Sequence, residues 1–169
     1  MYLKSYLVLG VLLVFSTGCA GLKKEQSVSS YFFDGKVLDS DKLKAGGKIY
    51  LVPFSAGVGV EAGEALDETA LMLIKGIYEE LSSTNSVLTV LTSGQGSSPD
   101  FILRGHFVKW SRKSRRVISI EGEVVERVSG KVLLHFNDLK EAVQKADDHR
   151  VLGYDIGKDV GRFILSAIR

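Results

Sequence analysis

The stretch Arg116–Arg127, RVISIEGEVVER, decides the fold class of this chain. Ile118 and Ile120 fall at alternate positions, and the charged Glu121 and Glu123 fall on the opposite parity. Successive side chains of a β-strand point to opposite faces of its sheet. The alternation therefore predicts one strand of an antiparallel sheet that has a buried face and a wet face.

The segment before this stretch predicts its hairpin partner. Phe101–Trp110 is rich in β-forming residues and leads into a short basic turn, Ser111–Arg115 (SRKSR). After the central stretch, the turn Val128–Lys131 leads into a further strand at Val132–Phe136. Residues 138–147 are compatible with either a strand or a helical turn.

Two earlier strands and two helices complete the predicted fold. Gly47–Phe54 and Val87–Thr92 are short runs of β-formers, and Pro53 marks the end of the first because proline donates no ladder hydrogen bond. Apolar residues recur at three- and four-residue spacing in Leu66–Leu81 and Val151–Ile168, which predicts amphipathic helices. We therefore expect an α+β fold (an α/β sandwich) with a single mixed or largely antiparallel sheet of about four to five strands, packed by two helices.

Three glycines, Gly153, Gly157 and Gly161, recur at every fourth position of the last helix. Each destabilises an isolated helix by about 1 kcal/mol, so the repeat indicates a backbone that another surface approaches closely. In a bilayer this spacing pairs helices, but Lys158 and Asp159 in the same segment exclude a membrane span. We expect close packing on the sheet, with a groove for a partner helix as the alternative.

The first residues have the layout of a secretory signal. Lys4 supplies a positive charge, and Leu7–Phe15 (LVLGVLLVF) is an uncharged apolar run. As a helix these residues would rise roughly 14 Å, whereas a bilayer core is about 30 Å thick. The run is therefore too short to be a permanent membrane span.

The motif Ser16-Thr17-Gly18-Cys19 that follows the apolar run resembles the lipobox of bacterial lipoproteins. The resemblance implies cleavage before Cys19, diacylglycerol on its sulfur and a further acyl chain on the new amino group. Cys19 is the only cysteine, so its lipidation would exclude both a disulfide and a catalytic thiol within this chain. Ala20 follows it instead of the aspartate that retains such proteins in the inner membrane, so the resemblance favours the outer membrane.

The chain is expected to divide into a lipoprotein signal peptide (1–18), a lipidated tether (19–30) and a single α/β domain (31–169). Without Lys4 the mature chain has 21 basic and 20 acidic residues. Such a balance excludes a nucleic-acid-binding domain, which needs a strongly basic surface. A hydrophobic content of 45% fits a globular domain and not a disordered one.

No motif for catalysis, metal binding or cofactor binding is found. The loop Gly57–Gly63 has the spacing G-x-G-x-x-x-G, one residue longer than a dinucleotide fingerprint, and no acidic residue ends the next strand. His106, His135 and His149 are far apart and match no metal-ligand spacing. We therefore predict no catalytic residue, no metal, no cofactor and no nucleotide.

The basic turn is the sharpest candidate site in the sequence. Arg112, Lys113, Arg115 and Arg116 lie beside Trp110, and cations at a hairpin tip can bind lipopolysaccharide phosphates, anionic lipid or an acidic protein surface. Stacking of the indole on an arginine would fit this role. The alternative is a solvated turn with a buried tryptophan.

The order of elements resembles a family of small envelope lipoproteins. A strand that ends in Pro-Phe, Ile49–Phe54, is followed by Pro99–Gly105 (PDFILRG), by a strand pair around Ser129–Leu133 (SGKVL) and by a closing helix. Over about residues 45–168 this is similar to CsgG/LpoB-like or TolB-N-like α/β domains. The long membrane-inserting hairpins of the CsgG channel have no room here, so the resemblance implies a non-enzymatic binding or scaffolding role and not a pore.

These observations predict a lipid-anchored envelope lipoprotein that acts as a non-enzymatic binding or assembly module in the periplasm. Its expected partners are the membrane, through lipidated Cys19, and an envelope protein; its expected location is the outer membrane, facing the periplasm. One alternative is a cell-wall or lipid hydrolase, which requires a concave pocket with converging carboxylates or histidines. Another is an auxiliary lipoprotein of a lipid transporter, which requires an apolar groove.

Overall fold

The computed structural model describes five ranges of the chain, to which all structural statements below refer: 28–83, 86–91, 98–111, 116–142 and 148–169. These residues form a mixed α+β domain with one open sheet of seven strands and with three helices. The strands are β1 (Val28–Val37), β2 (Gly47–Leu51), β3 (Ser55–Ala56), β4 (Leu88–Leu91), β5 (Phe101–Ser111), β6 (Arg116–Glu126) and β7 (Val132–Ala142). The helices are α1 (Asp41–Lys44), α2 (Glu64–Ser83) and α3 (His149–Ala167).

The strand order is β1-β7-β6-β5-β2-β4. Strands β5, β6 and β7 are antiparallel neighbours, and β1 adds to β7 in the antiparallel sense. On the other side β2 pairs in parallel with both β5 and β4, and α2 supplies the crossover that parallel strands need. The two-residue β3 continues beside β5 beyond β2, where Ser55 pairs with His106.

The sheet is larger than the four to five strands expected from the sequence. The segment of β1, VSSYFFDGKV, has no clean apolar alternation, and its extended state comes from pairing with β7 along nearly its whole length. It begins at Val28, within the segment 19–30 that was assigned to the tether. Strand β7 runs to Ala142, so residues 138–142 are strand, while 143–147 lie outside the described residues.

The helices expected at Leu66–Leu81 and Val151–Ile168 are α2 and α3, and both lie against the same face of the sheet. The alternation in the central stretch is confirmed, because Ile118 and Ile120 are buried whereas Glu121 lies on the open face. The core between sheet and helices includes residues from every layer: Leu43, Ile49, Leu51, Phe54, Leu73, Ile77, Leu103, Phe107, Ile120, Val124, Phe136, Ile156, Val160 and Ile164.

The glycine stripe of α3 packs against α2 and not against the sheet, which corrects the expectation from the sequence. A Cβ on Gly153 would lie 2.8 Å from the carbonyl oxygen of Thr69, and one on Gly157 would lie 2.1 Å from that of Leu73. The contacts advance by four residues on both helices, so α2 and α3 run parallel. Their first turns therefore lie at the same end of the domain.

Candidate functional site

The lipobox residues Ser16, Thr17, Gly18 and Cys19 lie outside the described residues, and so do Arg112, Lys113 and Arg115 of the basic turn.

Trp110 and Arg116, the described members of the basic turn, lie at the end of β5 and the start of β6. The register pairs Trp110 with Ile118, which directs the indole toward the helical face of the sheet. There the ring meets the His149 imidazole edge-on, with ring centroids 6.4 Å apart. Trp110 is half-buried against the core, so the tryptophan helps to hold the N-terminal end of α3 on the sheet.

A surface cavity of about 620 Å³ opens beside this tryptophan. Its lining comes from the loop before α2, the first turns of α2 and α3 and the end of β5: Glu61, Ala62, Gly63, Glu64, Ala65, Glu68, Trp110, Ser111 and His149. His149 Nε2 lies 3.5 Å from Glu68 Oε2 and connects the two helices across the cavity. The described part of the basic turn thus adjoins an acidic concavity on the helical side.

A row of charged and imidazole side chains crosses the open face of the sheet, and the sequence analysis did not find it. Glu121 Oε1 lies 3.0 Å from His135 Nε2, and Glu121 Oε2 lies 3.7 Å from His106 Nε2. Two residues further along β6, on the same face, Glu123 Oε1 is contacted by Arg104 through Nε at 2.9 Å and through Nη2 at 2.8 Å. Three adjacent strands therefore place two imidazoles on the two oxygens of a single carboxylate.

These side chains line a second cavity of about 490 Å³, which also includes Val52, Pro53, Ser55, Gly105 and Gly122. The cavity offers hydrogen-bond donors and acceptors to a polar ligand. Period-2 counting already placed Glu121 and Glu123 on the wet face. The residues that contact these two glutamates depend on the register between strands. The register of β5 against β6 includes a bulge between Phe107 and Lys109, which no local sequence pattern predicts.

A second charged cluster is buried between β7 and α3. Asp138 is 1% exposed, and neither of its carboxyl oxygens has a hydrogen-bond partner of good geometry within the described residues. Burial raises the pKa of Asp138 to about 7, with the Asp159 carboxylate adding to the rise and the Lys140 ammonium opposing it. Lys140 Nζ lies 2.5 Å from Asp159 Oδ2, and Asp159 also contacts Arg162 at 3.3 Å. This cluster lies inside the fold and lines neither cavity.

Within the described parts of the chain, no three His, Cys, Asp or Glu side chains are arranged to hold a metal ion. The helices described there include none that is long and apolar enough to cross a membrane.

No protein-family model matches the chain, and no curated protein matches it in sequence. Among solved structures, a leucine-to-methionine variant of the PelC dodecamer from Paraburkholderia phytofirmans matches with a TM-score of 0.56 and 11% identity, over 82% of this chain and 97% of that one. A second crystal form of the PelC dodecamer matches over the same shares with a TM-score of 0.56 and 10% identity. A candidate lipoprotein from Caulobacter crescentus matches over 76% of this chain and 92% of that chain, with 12% identity and a TM-score of 0.42. The chain therefore shares its fold with the PelC subunit.

Proposed function

We propose that this protein is a lipid-anchored lipoprotein of the bacterial envelope that acts as a non-enzymatic assembly module and works as several copies together. The observation that carries the proposal is the shared fold with PelC, whose crystals contain a dodecamer, over 97% of that chain. The lipobox at Ser16–Cys19 supports the anchor, and Ala20 after it favours the outer membrane, facing the periplasm.

Two opposite edges of the sheet support assembly from copies of this chain. Within the described residues β1 and β4 each pair on one side only, so the backbone groups of their outer sides are available to another strand. Next to β4, Leu71 is 62% exposed and Tyr78 is 42% exposed, and both line an apolar cavity of about 310 Å³ with Tyr50. A ring or other head-to-tail assembly needs two different surfaces on opposite sides of the subunit, as these edges are.

Sedimentation of the detergent-solubilised full chain tests this proposal. We expect wild type to sediment as an oligomer, and a Leu71→Asp/Tyr78→Asp variant to sediment as a monomer with an unchanged circular dichroism spectrum. A charge placed in an apolar contact must be desolvated without a partner, which disfavours association. Val128→Asp is the matched control, because Val128 is exposed in the β6–β7 turn, far from either edge.

A wild-type chain that is monomeric at every concentration would refute assembly from copies. Lipid that copurifies with wild type and is lost from the Leu71→Asp/Tyr78→Asp variant would favour the lipid-transporter role instead, because the apolar cavity would then hold acyl chains.

A cell-wall or lipid hydrolase is the second candidate, and one observation favours it. The open-face cavity brings His106 and His135 onto Glu121, and such imidazole–carboxylate pairs serve as general bases. Peptidoglycan and phospholipid are the substrates to test. Release of product by wild type, abolished in Glu121→Gln and His106→Ala, would establish the hydrolase and displace the assembly role.

A further inference from the structure

Large hydrophobic side chains that face solvent concentrate at the two edges of the sheet. Among the residues that the structure describes, nine such side chains are exposed, and six of them lie at an edge. Those at the β4 edge are Leu71, Tyr78 and Val87, and those at the β1 edge are Phe32, Val37 and Leu38. Exposed apolar side chains that cluster mark contact surfaces, so both edges are candidates for burial in an assembly.

The two edges differ in shape. At the β4 edge the apolar cavity of about 310 Å³ forms a concave surface between β4 and α2, and we call it the α2 cavity. At the β1 edge Val37 and Leu38 are 49% and 58% exposed and follow one another at the end of the strand. We call these two residues the apolar pair. A concave apolar surface is filled by a protruding one, so each edge complements the other edge and not a copy of itself.

The strand register places the apolar pair and the α2 cavity at opposite ends of one line across the sheet. The line follows residues that pair from strand to strand: Val37, Leu134, Val124, Leu103 and Leu51. Leu51 lines the α2 cavity and follows Tyr50, which pairs with Leu91 of β4. Five spacings of about 4.8 Å, roughly 24 Å in all, separate β1 from β4, so the apolar pair cannot reach the cavity of its own copy.

The position of these two surfaces along the strands suits a closed ring. Copies in a ring are related by rotation without translation along the ring axis, whereas a contact that adds a rise at each step produces an open helix. The apolar pair and the α2 cavity lie within about one residue of the same height, or about 3.4 Å. Around an axis perpendicular to the line across the sheet, the apolar pair of one copy therefore meets the α2 cavity of the next.

We propose that the apolar pair of one copy fills the α2 cavity of the next copy, and that this contact repeats head to tail around a closed ring. The inference rests on the assembly of copies in the proposed function and names the surface that enters the cavity. The contact removes Leu38, Leu71 and Tyr78 from water, which supplies the hydrophobic stabilisation. Lys75 also lines the cavity, and its side chain is 58% exposed, so its ammonium can extend into solvent from the rim.

Paired cysteines on the lipidated full chain in detergent test this contact. Val37→Cys keeps a small apolar side chain in the apolar pair, and Lys75→Cys lies at the rim of the α2 cavity. Cys19 is the only native cysteine and carries lipid in the proposed anchor, so it supplies no thiol. With a short bismaleimide linker we expect Val37→Cys/Lys75→Cys to form covalent dimers, trimers and larger multimers. Each single variant should form none, because the contact joins two different surfaces.

Phe32→Cys/Lys75→Cys is the matched control for the linker experiment. Phe32 is 57% exposed on the same strand but lies five residues from Val37, roughly 17 Å away at about 3.4 Å per residue. A short linker should therefore give far fewer multimers with this variant.

A second pair of variants tests the contact without a linker. Leu38→Asp should raise the concentration at which half of the chain is assembled about tenfold or more, because a charge would enter the cavity without a partner. Phe32→Asp should leave this concentration unchanged, and both variants should keep the circular dichroism spectrum of wild type.

The outcomes separate this contact from assembly as such. Wild type that stays monomeric at every concentration would overturn the proposed assembly and this inference with it. Oligomeric protein whose Val37→Cys/Lys75→Cys variant forms no multimers would overturn this contact alone. Covalent dimers of Val37→Cys by itself would reveal a symmetric contact between two β1 edges, which would also overturn it.

Discussion

A Cβ atom on Gly157 of α3 would lie 2.1 Å from the carbonyl oxygen of Leu73 in α2. The contact is reciprocated, because a Cβ on Gly76 of α2 would lie 2.3 Å from the carbonyl oxygen of Tyr154 in α3. The two helix backbones therefore touch with no side chain between them. This close approach lets two parallel helices cover the sheet as one layer.

Gly157→Ala should destabilise the fold by about 3 kcal/mol, as overpacking at a rigid site does. The atom that the new methyl group meets is a backbone carbonyl, which can move only if the helices separate. The better helix propensity of alanine, about 1 kcal/mol, offsets only part of this cost. Urea unfolding followed by circular dichroism gives the free energy of unfolding.

Gly63→Ala is the control for this prediction. A Cβ on Gly63 meets no atom within 4 Å, but Gly63 lies at the N-cap of α2, where alanine is less favourable than glycine, so its free energy of unfolding should fall by at most about 1 kcal/mol. If both variants were equally stable, the close approach of α2 and α3 described above would be wrong.

Asp138 should make the stability of the domain depend on pH. Its pKa is about 7 in the fold against an ordinary value of 3.8, so between these values the folded state keeps a proton that the unfolded state has released. Neutral Asp138 therefore stabilises the fold fully below about pH 4, and this contribution is lost as the pH rises through about 7. Asp138→Asn stays neutral, and its stability relative to wild type should increase by about 2–3 kcal/mol from pH 5 to pH 8.

The matched control is Asp34→Asn, since Asp34 is exposed on β1. Its stability relative to wild type should change little over the same pH range. Parallel pH profiles for wild type and Asp138→Asn would mean that the Asp138 carboxyl is hydrated or paired in the folded protein.

Local patterns in the sequence predicted the individual strands and helices of this fold. They predicted less well which strand or helix lies beside which. Strand β6 and helices α2 and α3 each have an apolar periodicity of their own, and β5 is rich in β-forming residues, so each could be predicted alone. Strand β1 has no such pattern. Its extended state comes from pairing with β7 about a hundred residues later, and a local pattern does not show this pairing. The glycines of α3 correctly indicated a close contact, but Gly76, the glycine of α2 that meets Gly157, is single and formed no repeat in the sequence.

The contacts within the candidate sites could not be predicted from the sequence for a related reason. Glu121 was correctly placed on the wet face, yet its contacts with His106 and His135 depend on the register of three strands. Asp138 occupies an inward position of β7, where a charged residue contradicts the apolar alternation, so the sequence alone did not distinguish strand from helix at residues 138–142.

The open-face pair Arg104–Glu123 should contribute little to stability, although two guanidinium nitrogens of Arg104 contact Glu123 Oε1. Arg104 is largely exposed, so solvent screens the attraction, and a coupling energy of about 0.2–1 kcal/mol is expected from a double-mutant cycle with Arg104→Ala and Glu123→Ala. The coupling should weaken at high salt. A coupling of several kcal/mol would indicate that a further group covers this face in solution.

The proposed lipid anchor can be tested by one substitution at Cys19, which leaves the rest of the chain unchanged. Cys19→Ser removes the sulfur that takes the diacylglycerol, so the chain loses the acyl chains that would hold it on the membrane. We expect mass spectrometry of the expressed protein to lose the lipid mass and fractionation to move the chain out of the lipidated membrane pool. Thr17→Ala, which keeps a small residue before the cleavage site, should mature normally. A Cys19→Ser chain that is still processed and remains with the membrane would mean that another part of the molecule holds it there, and the lipobox assignment would then be wrong.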